Sequence, residues 1–514
     1  MAQKQKNRLG FSLMNLSANW LNQLVVILFR FVNRAVFVRV LSKEYLGLSG
    51  LFSDVLMLLS LAELGVGAAI SYHLYKPLAD NNQATVCRLM NLFRRIYVGI
   101  GAFVFLAGAA LTPFLPFLIK EMPDIPHLSL IYLLFVADSA ASYFFAYKSL
   151  LLTADQHSYL VTAVGIITNM LTTIAQVALL LTTGSYIGYL LLKIAMTLAN
   201  NLLVSAITDR RYPYLRQNRR ELPKKAEIQE IIRYTRAMML HKVGSVAVNS
   251  TDNVIISKFV GLAVGGAYSN YVLLSTCLNK IVGEVFNAVG ASIGSMGVTE
   301  PLDRQKKIFD RLFLLDFWGY SFAACGLVCV ATPLVSICFG AQYEMVAAVP
   351  TLLAISFYFT GMRKTVQTFN SSLGLLRHNR YAPLFEAAIN LIVSIVLAQK
   401  IGLPGVIIGT IVSTLLVPIW IEPLVLYRFH FRQNAAGYLL RLIGLTVLAA
   451  AECVLCWKLC SLVQVNLFIE VLYRIAVCIV ICNVINVIVF HHTDAMHFYV
   501  DLLKRLTKCL KKDK

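Results

Sequence analysis

The chain has 514 residues, of which 58% are hydrophobic and only 14% are charged, and its formal net charge is +20. Soluble domains are typically about 45–50% apolar and about 25% charged, so this composition excludes an ordinary soluble domain. Apolar runs of about 20 residues, each long enough to cross a bilayer, recur along the whole chain. We therefore predict an all-α, polytopic membrane protein.

The apolar runs predict fourteen transmembrane helices joined by short loops. Their centres lie near residues 27, 59, 101, 140, 170, 196, 247, 280, 323, 360, 390, 416, 450 and 478. The longest polar stretch, residues 208–230, separates the sixth helix from the seventh. The predicted regions are an N-lobe of helices one to six (1–207), a basic cytoplasmic linker (208–232), a C-lobe of helices seven to twelve (233–427), helices thirteen and fourteen (428–492) and a basic cytoplasmic tail (493–514).

Lysine and arginine are distributed unequally between the two sides of the predicted membrane. With the N-terminus inside, the inner segments hold 32 of these residues and the outer segments hold 6. Cytoplasmic loops of membrane proteins carry such an excess, so both termini are predicted to be cytoplasmic. Basic loops that face the anionic inner leaflet account for the net charge, and no nucleic-acid partner is predicted.

Two short motifs indicate an internal repeat. The segment GLFSDVLMLLS at residues 50–60 is similar to GAYSNYVLLS at residues 266–275, and a Thr-Pro pair at 112–113 recurs at 332–333. The offsets are 216 and 220 residues, which corresponds to six helices. A six-helix repeat keeps the orientation of each helix, so the two lobes are predicted to be related by a pseudo-twofold axis along the membrane normal. Repeats of this kind are typical of transporters with a substrate path between the halves.

The first predicted helix carries a polar face although it is long and apolar enough to span a membrane. At 100° per residue, seven polar side chains fall within one arc of about 120°, and they are Asn15, Asn19, Asn22, Gln23, Arg30, Asn33 and Arg34. An arginine at the centre of a membrane helix costs about 2.5–3.5 kcal/mol on insertion scales. Because the polar residues share one face, we expect this helix to line an aqueous cavity.

Cations also lie on the polar faces of later helices, and fewer carboxylates face them. Charged residues within a membrane usually mark a functional site, and a cavity with surplus positive charge selects an anion. The planar fork of arginine suits phosphate, and neighbouring amides suit sugar hydroxyls. The sequence thus points to a lipid-linked sugar phosphate as substrate. The predicted substrate-binding residues are Asn22, Arg30, Asn33, Arg34, Lys193, Lys242 and Arg363.

Several polar residues have a structural interpretation that stands beside a functional one. Asp138, Asp252 and Glu386 are candidates for binding a coupling ion. Serine, threonine and asparagine also join helices by hydrogen bonds, and Lys280 and Glu284 have the spacing of a structural ion pair. A Cys-x-x-Cys motif, followed by a third cysteine, lies in an apolar helix without a nearby His or Asp and favours apolar packing. No metal site, cofactor or catalytic residue is therefore predicted.

Residues 31–80 (FVNRAVFVRVLSKEYLGLSGLFSDVLMLLSLAELGVGAAISYHLYKPLAD) and 249–274 (NSTDNVIISKFVGLAVGGAYSNYVLL) resemble the polysaccharide-exporter flippases of the multidrug/oligosaccharidyl-lipid/polysaccharide exporter superfamily. The resemblance implies two six-helix lobes that open alternately to each side. It implies transfer of undecaprenyl-diphosphate-linked oligosaccharide from the inner to the outer leaflet of a bacterial cytoplasmic membrane.

The related peptidoglycan-precursor flippase has arginines of the first helix in a cationic cavity, and Arg30 and Arg34 are similar in location. Helices thirteen and fourteen resemble the pair thought to hold the lipid tail in that relative. Membrane lipids, a polysaccharide polymerase and glycosyltransferases are the partners that the resemblance implies.

Two other classes of protein are alternatives. A cation-coupled multidrug exporter of the same superfamily would use acidic residues in the cavity. A membrane polysaccharide polymerase or glycosyltransferase would carry a large outer loop, whereas every predicted outer loop is short. A nucleotide-driven pump is disfavoured because the dipeptide Gly-Lys of the phosphate-binding loop does not occur in the sequence.

Overall fold

The computed structural model describes residues 23, 26–63, 66–216, 221–463, 466–501 and 504. These residues are predominantly helical, and no β-strand occurs among them. The predicted all-α class is confirmed. In chain order the helices are α1 (26–40), α2 (Lys43–Leu59), α3 (Val66–Ala79), α4 (Gln83–Ala110), α5 (Leu115–Leu118), α6 (Leu128–Tyr143), α7 (Ala146–Ala154), α8 (Ser158–Thr183), α9 (Tyr186–Arg211), α10 (Lys225–Ser250), α11 (Asp252–Ile255), α12 (Leu262–Thr299), α13 (Leu302–Phe339), α14 (Ala348–Gly361), α15 (Lys364–Ser372), α16 (Ala382–Ile401), α17 (Leu403–Leu416), α18 (Pro418–Leu426), α19 (Ala436–Ser461) and α20 (Leu467–Phe490).

Nine helical stretches of the described chain are long and apolar enough to cross a membrane. Helices also lie at the other predicted centres, but two of those predicted spans are interrupted. The span near residue 59 is divided between α2 and α3, and the span near residue 360 is divided between α14 and α15. A polytopic helical membrane protein is confirmed, and the count of fourteen spans stays a prediction.

Packing divides the chain into two units. The first, which we call the N-unit, comprises Val25–Gly266 and Pro383–Leu391. In it α4 packs against α6, α8 against α9, and α10 against both α2 and α3. Its core contains Ile70, Phe93 and Leu151, none of which is accessible. Apolar residues on the inner faces of these helices therefore hold the N-unit together.

The second unit, which we call the C-unit, includes Ala267–Ala382 and Ile392–Lys514 within the described residues. Helix α13 packs against α14, α19 and α20, and α14 packs against α17. Phe309 and Phe313 of α13 are inaccessible. The boundary between the units falls in α12, whereas the predicted lobes meet at the linker 208–232. Packing and internal repeat are different criteria, so the lobe boundaries stay predictions.

Helix α2 crosses the start of α12 at two glycines. A Cβ atom on Gly47 would lie 2.1 Å from the carbonyl oxygen of Leu262, and one on Gly266 would lie 2.1 Å from the carbonyl oxygen of Lys43. Gly266 follows Gly47 by 219 residues, and Leu262 follows Lys43 by the same number. The two contacts therefore exchange partners under a shift that lies within the range of the predicted repeat.

We expect Gly47→Ala and Gly266→Ala each to destabilise the protein by about 1–3 kcal/mol, because the added methyl group overlaps a backbone carbonyl that cannot move as a side chain can. Thermal unfolding of the purified protein in detergent measures the effect. Gly99→Ala is the matched control, since nothing lies within 4 Å of its Cβ position. Equal unfolding temperatures for all three variants would contradict the close crossing.

The orientation in the membrane stays a prediction from the charge distribution. Single cysteines introduced at Asp124 and Arg219 test it, because the first is predicted to face outward and the second inward. A membrane-impermeant thiol reagent added to intact cells should modify the probe at 124 and spare the probe at 219. Both should react after the cells are lysed. Labelling at 219 alone in intact cells would reverse the predicted layout.

Candidate functional site

Helix α1 is anchored to the N-unit by one side and presents its arginines on another. Asn33 donates from its amide to the hydroxyl of Tyr189, at 3.1 Å, and to the side-chain oxygen of Gln176, at 3.4 Å. Phe37, one turn later, packs edge-on against the ring of Tyr189, with 5.7 Å between centroids. These contacts fix the rotation of α1 against α8 and α9. Arg30 is exposed, and Arg34 is partly buried.

Lys193 lies one turn beyond Tyr189 on α9 and forms an ion pair with Asp138 of α6. The distance from Nζ to a carboxylate oxygen is 2.9 Å. Thr197 donates from its hydroxyl to the other oxygen of Asp138, at 2.8 Å. The lysine side chain is 41% exposed and the aspartate 16%. We call Arg30, Asn33, Arg34 and Lys193 the cationic face of the N-unit.

The residues of the cationic face differ in how their charge is compensated. Asp138 neutralises Lys193 within the protein. Arg30, in contrast, forms no ion pair with any carboxylate in the described chain. Because the side chain of Arg30 is also exposed, it is the predicted substrate-binding cation that the structure leaves most accessible. An accessible guanidinium can accommodate both oxygens of a phosphate.

Arg363 occupies a different environment in the C-unit. Its Nη2 and Nε lie 2.7 and 3.1 Å from the two carboxylate oxygens of Glu422, which makes a two-pronged ion pair. The two side chains are only 11% and 10% exposed. Gln367 and Asn370 also donate to Glu422, the first to its carboxylate and the second to its backbone oxygen. The guanidinium fork that was predicted to hold substrate is thus occupied by a carboxylate of the protein.

The other predicted site residues are less informative. Asn22 and the side chain of Lys242 lie outside the described residues. Asp252 begins α11, Glu386 on α16 is 7% exposed, and both have polar partners. The described residues do not gather the three predicted acids, Asp138, Asp252 and Glu386, into a cluster with metal-ligand spacing. Their role in ion coupling stays a prediction.

Sequence reasoning missed several carboxylates that bond within one unit. Asp54 of α2 accepts from the side chain of Asn253 at 2.9 Å, and Asp316 of α13 accepts from both the backbone and the hydroxyl of Thr365. Glu422 is the partner of Arg363 described above. Each of these acids is isolated in an apolar run, which is a signal that a polar partner must come from elsewhere in the fold.

A family model described as "Polysaccharide biosynthesis protein" matches residues 12–289. The chain belongs to the polysaccharide biosynthesis protein family. This match covers more than half of the chain, including both segments on which the resemblance rested. The family recognised from the sequence is therefore confirmed.

Solved structures show the same fold. The lipid II flippase MurJ, in an inward closed conformation, superposes with a TM-score of 0.70 at 11% identity, covering 93% of this chain and 99% of that one. A point mutant of the Vibrio cholerae MATE transporter VcmN gives 0.57 at 16% identity, covering 83% and 98%. An inward-facing MATE family transporter of the MOP superfamily gives 0.56 at 13% identity, covering 79% and 98%. A search of curated protein sequences finds no match. This polysaccharide biosynthesis protein thus has the fold of MOP-superfamily transporters.

The ion pair between Arg363 and Glu422 gives a stability prediction for this family member. We expect Arg363→Ala to destabilise the protein by about 3–5 kcal/mol, because it leaves the carboxylate of Glu422 buried without its cation. The double variant Arg363→Met/Glu422→Leu should be closer to wild type, since neither charge remains. Thermal unfolding in detergent measures both. A double variant less stable than Arg363→Ala would show that the pair is not the source of the effect.

Proposed function

We propose that this protein is a flippase for undecaprenyl-diphosphate-linked oligosaccharide. It would move this lipid from the inner to the outer leaflet of a bacterial cytoplasmic membrane during assembly of capsule, exopolysaccharide or O-antigen. The observation that carries the proposal is the pair of arginines on α1, one of them exposed, in a member of a polysaccharide biosynthesis family. The fold shared with a protein described as a lipid II flippase supports a lipid-linked substrate.

Arg30 and Arg34 are spaced to bind a diphosphate together. Residues four apart on a helix lie about 5–6 Å from each other at Cβ and point to the same side. Each guanidinium can give two charge-assisted hydrogen bonds to phosphate oxygens, and both stay charged at any physiological pH. Asn33 supports this arrangement because its bonds to α8 and α9 set the rotation of α1. The arginines would bind the diphosphate, and neutral polar groups would bind the sugar.

Asp138 is the predicted coupling residue that we place beside the substrate. It holds Lys193 in an ion pair, and a partly exposed lysine can exchange one anion for another. Protonation or sodium binding at Asp138 would weaken that pair and release Lys193 to a phosphate group. Loss of the ion would restore the pair and favour substrate release. This couples transport to an ion gradient without a nucleotide.

The cationic face also separates this proposal from its alternatives. An exporter of cationic drugs would gain nothing from an exposed arginine in its binding site, because like charges repel. We propose a transporter and not a polymerase or glycosyltransferase. Those enzymes are instead its candidate partners, since they would supply the lipid-linked oligosaccharide and consume it on the outer side.

Replacement of the arginines tests the proposal. We expect Arg30→Ala and Arg34→Ala to abolish surface polymer, with lipid-linked oligosaccharide accumulating on the inner leaflet, because the diphosphate loses its cations. Arg30→Lys and Arg34→Lys should retain intermediate activity, since lysine keeps the charge and loses the planar fork. Surface polymer and leaflet-resolved lipid analysis in a strain without the native gene measure these effects.

Arg39→Ala is the matched control for these variants. Arg39 is exposed on the same helix, and it lies about 140° from Arg34 around the helix axis. It should leave export unchanged. All variants should reach the membrane in normal amounts, because removing an intramembrane cation eases insertion. Normal surface polymer in the Arg30→Ala/Arg34→Ala double variant would refute the proposed binding role.

A further inference from the structure

Seven cysteines from three helices of the C-unit meet in one cluster. They are Cys325 and Cys329 of α13, Cys453, Cys456 and Cys460 of α19, and Cys478 and Cys482 of α20. On each helix they are spaced three or four residues apart, so each helix presents its thiols on one face. The sequence showed a Cys-x-x-Cys motif on α19 alone, and packing of α13 and α20 against α19 adds the others.

The cluster contains a group of three thiols with the spacing of metal ligands. The sulfur atoms of Cys325, Cys456 and Cys482 all lie within 4.8 Å of one another, and those of Cys456 and Cys482 are 3.9 Å apart. All three side chains are inaccessible. A zinc ion bound at a Zn–S distance of about 2.3 Å holds two sulfur ligands about 3.8 Å apart. Only a small contraction of the group would therefore bring all three sulfurs into coordination.

A buried carboxyl group lies beside these thiols. Glu452 of α19 is inaccessible, and neither of its carboxylate oxygens has a hydrogen-bond partner among the described residues. It is close enough to Cys456 and Cys482 to interact with them electrostatically. Ser321 is also near, but its hydroxyl donates to the backbone oxygen of Trp318, at 3.4 Å. Apolar packing explains buried thiols and does not explain a buried acid without a partner.

We propose that Cys325, Cys456 and Cys482 bind a zinc ion, with the carboxylate of Glu452 as the fourth ligand. Zinc accepts sulfur and carboxylate oxygen in one tetrahedral site, whereas copper(I) prefers sulfur ligands alone. The three thiols lose their protons to solvent when the metal binds, and three thiolates with one Zn²⁺ leave a single negative charge before Glu452 binds. An all-protein site of four ligands is structural, so the ion fastens α19 and α20 to α13.

A route to the cluster exists on the side of Cys453. This cysteine lines an apolar cavity of about 690 Å³, together with Ala324, Thr446 and Ala449. Its sulfur lies 3.0 Å from that of Cys325. Cys453 therefore connects the cavity to the three proposed ligands and can pass a metal ion to them. The cavity and the cluster both lie in the C-unit, apart from the cationic face of the N-unit.

Cobalt(II) binding to the full-length protein in detergent tests the proposal. The reduced, metal-free protein should bind one Co²⁺ per chain with thiolate-to-metal charge-transfer absorption, and Zn²⁺ should displace it. The triple variant Cys325→Ser/Cys456→Ser/Cys482→Ser should lose this absorption. Glu452→Gln should bind more than about tenfold more weakly, as expected for loss of a ligand or of its supporting group. Cys87→Ser and Cys338→Ser are controls outside the cluster and should bind as wild type does.

A second measurement does not depend on the folding of the variants. In the wild-type protein, Zn²⁺ should slow alkylation of Cys325, Cys456 and Cys482 and leave the rate at Cys87 unchanged, as followed by mass spectrometry. Absence of Co²⁺ absorption in the reduced wild type, or equal absorption in the triple variant, would overturn the proposal. A Cys325–Cys453 disulfide in protein that binds no metal after reduction would also overturn it.

Discussion

A bilayer offers no water to a buried charge, and this constraint explains where the polar residues of the protein lie. Within the described chain, ion pairs join Lys193 to Asp138, Arg363 to Glu422 and Arg474 to Glu470. Each pair keeps a cation at membrane depth without exposing it to hydrocarbon alone. Arg30 is exposed and lacks such a partner in the described residues. The contrast separates cations that hold helices together from one that is available to a ligand.

The same constraint bears on the energy source of transport. A diphosphate carries its negative charge outward across a membrane that is negative inside, which releases about 2.3 kcal/mol per elementary charge for each 100 mV. A binding site built on arginine keeps its positive charge at every step, so substrate binding and release need a competing anion. Asp138 is placed to act as that anion for Lys193. Transport would then use the membrane potential and an ion gradient, in line with a sequence that has no Gly-Lys dipeptide of a nucleotide site.

Sequence periodicity predicted which side of a helix is polar but not which residue faces it. The class, the helix positions and the polar face of α1 followed from hydropathy and from 100° per residue. The repeat was visible in motifs 216 and 220 residues apart, and the glycine contacts fall between these values at 219. The partners were not visible, because Glu422 lies 59 residues from Arg363 and the cysteines of α13 lie more than 100 residues from those of α19. Contacts over such separations depend on helix packing, which one sequence does not encode in any local pattern.

Breaks within the predicted spans explain carboxylates that carry no obvious function. The first backbone N–H groups of a helix have no partner inside that helix. At the break before α15, Asp316 of α13 accepts from the backbone N–H of Thr365 at 3.0 Å, and Arg363 is held by Glu422 of α18. At the break after α2, Glu63 accepts from the hydroxyl of Tyr97 at 2.8 Å. Interrupted helices within a membrane require such internal partners. The acids at these breaks are thus accounted for by the backbone and by nearby side chains, and the accessible arginine on α1 is not.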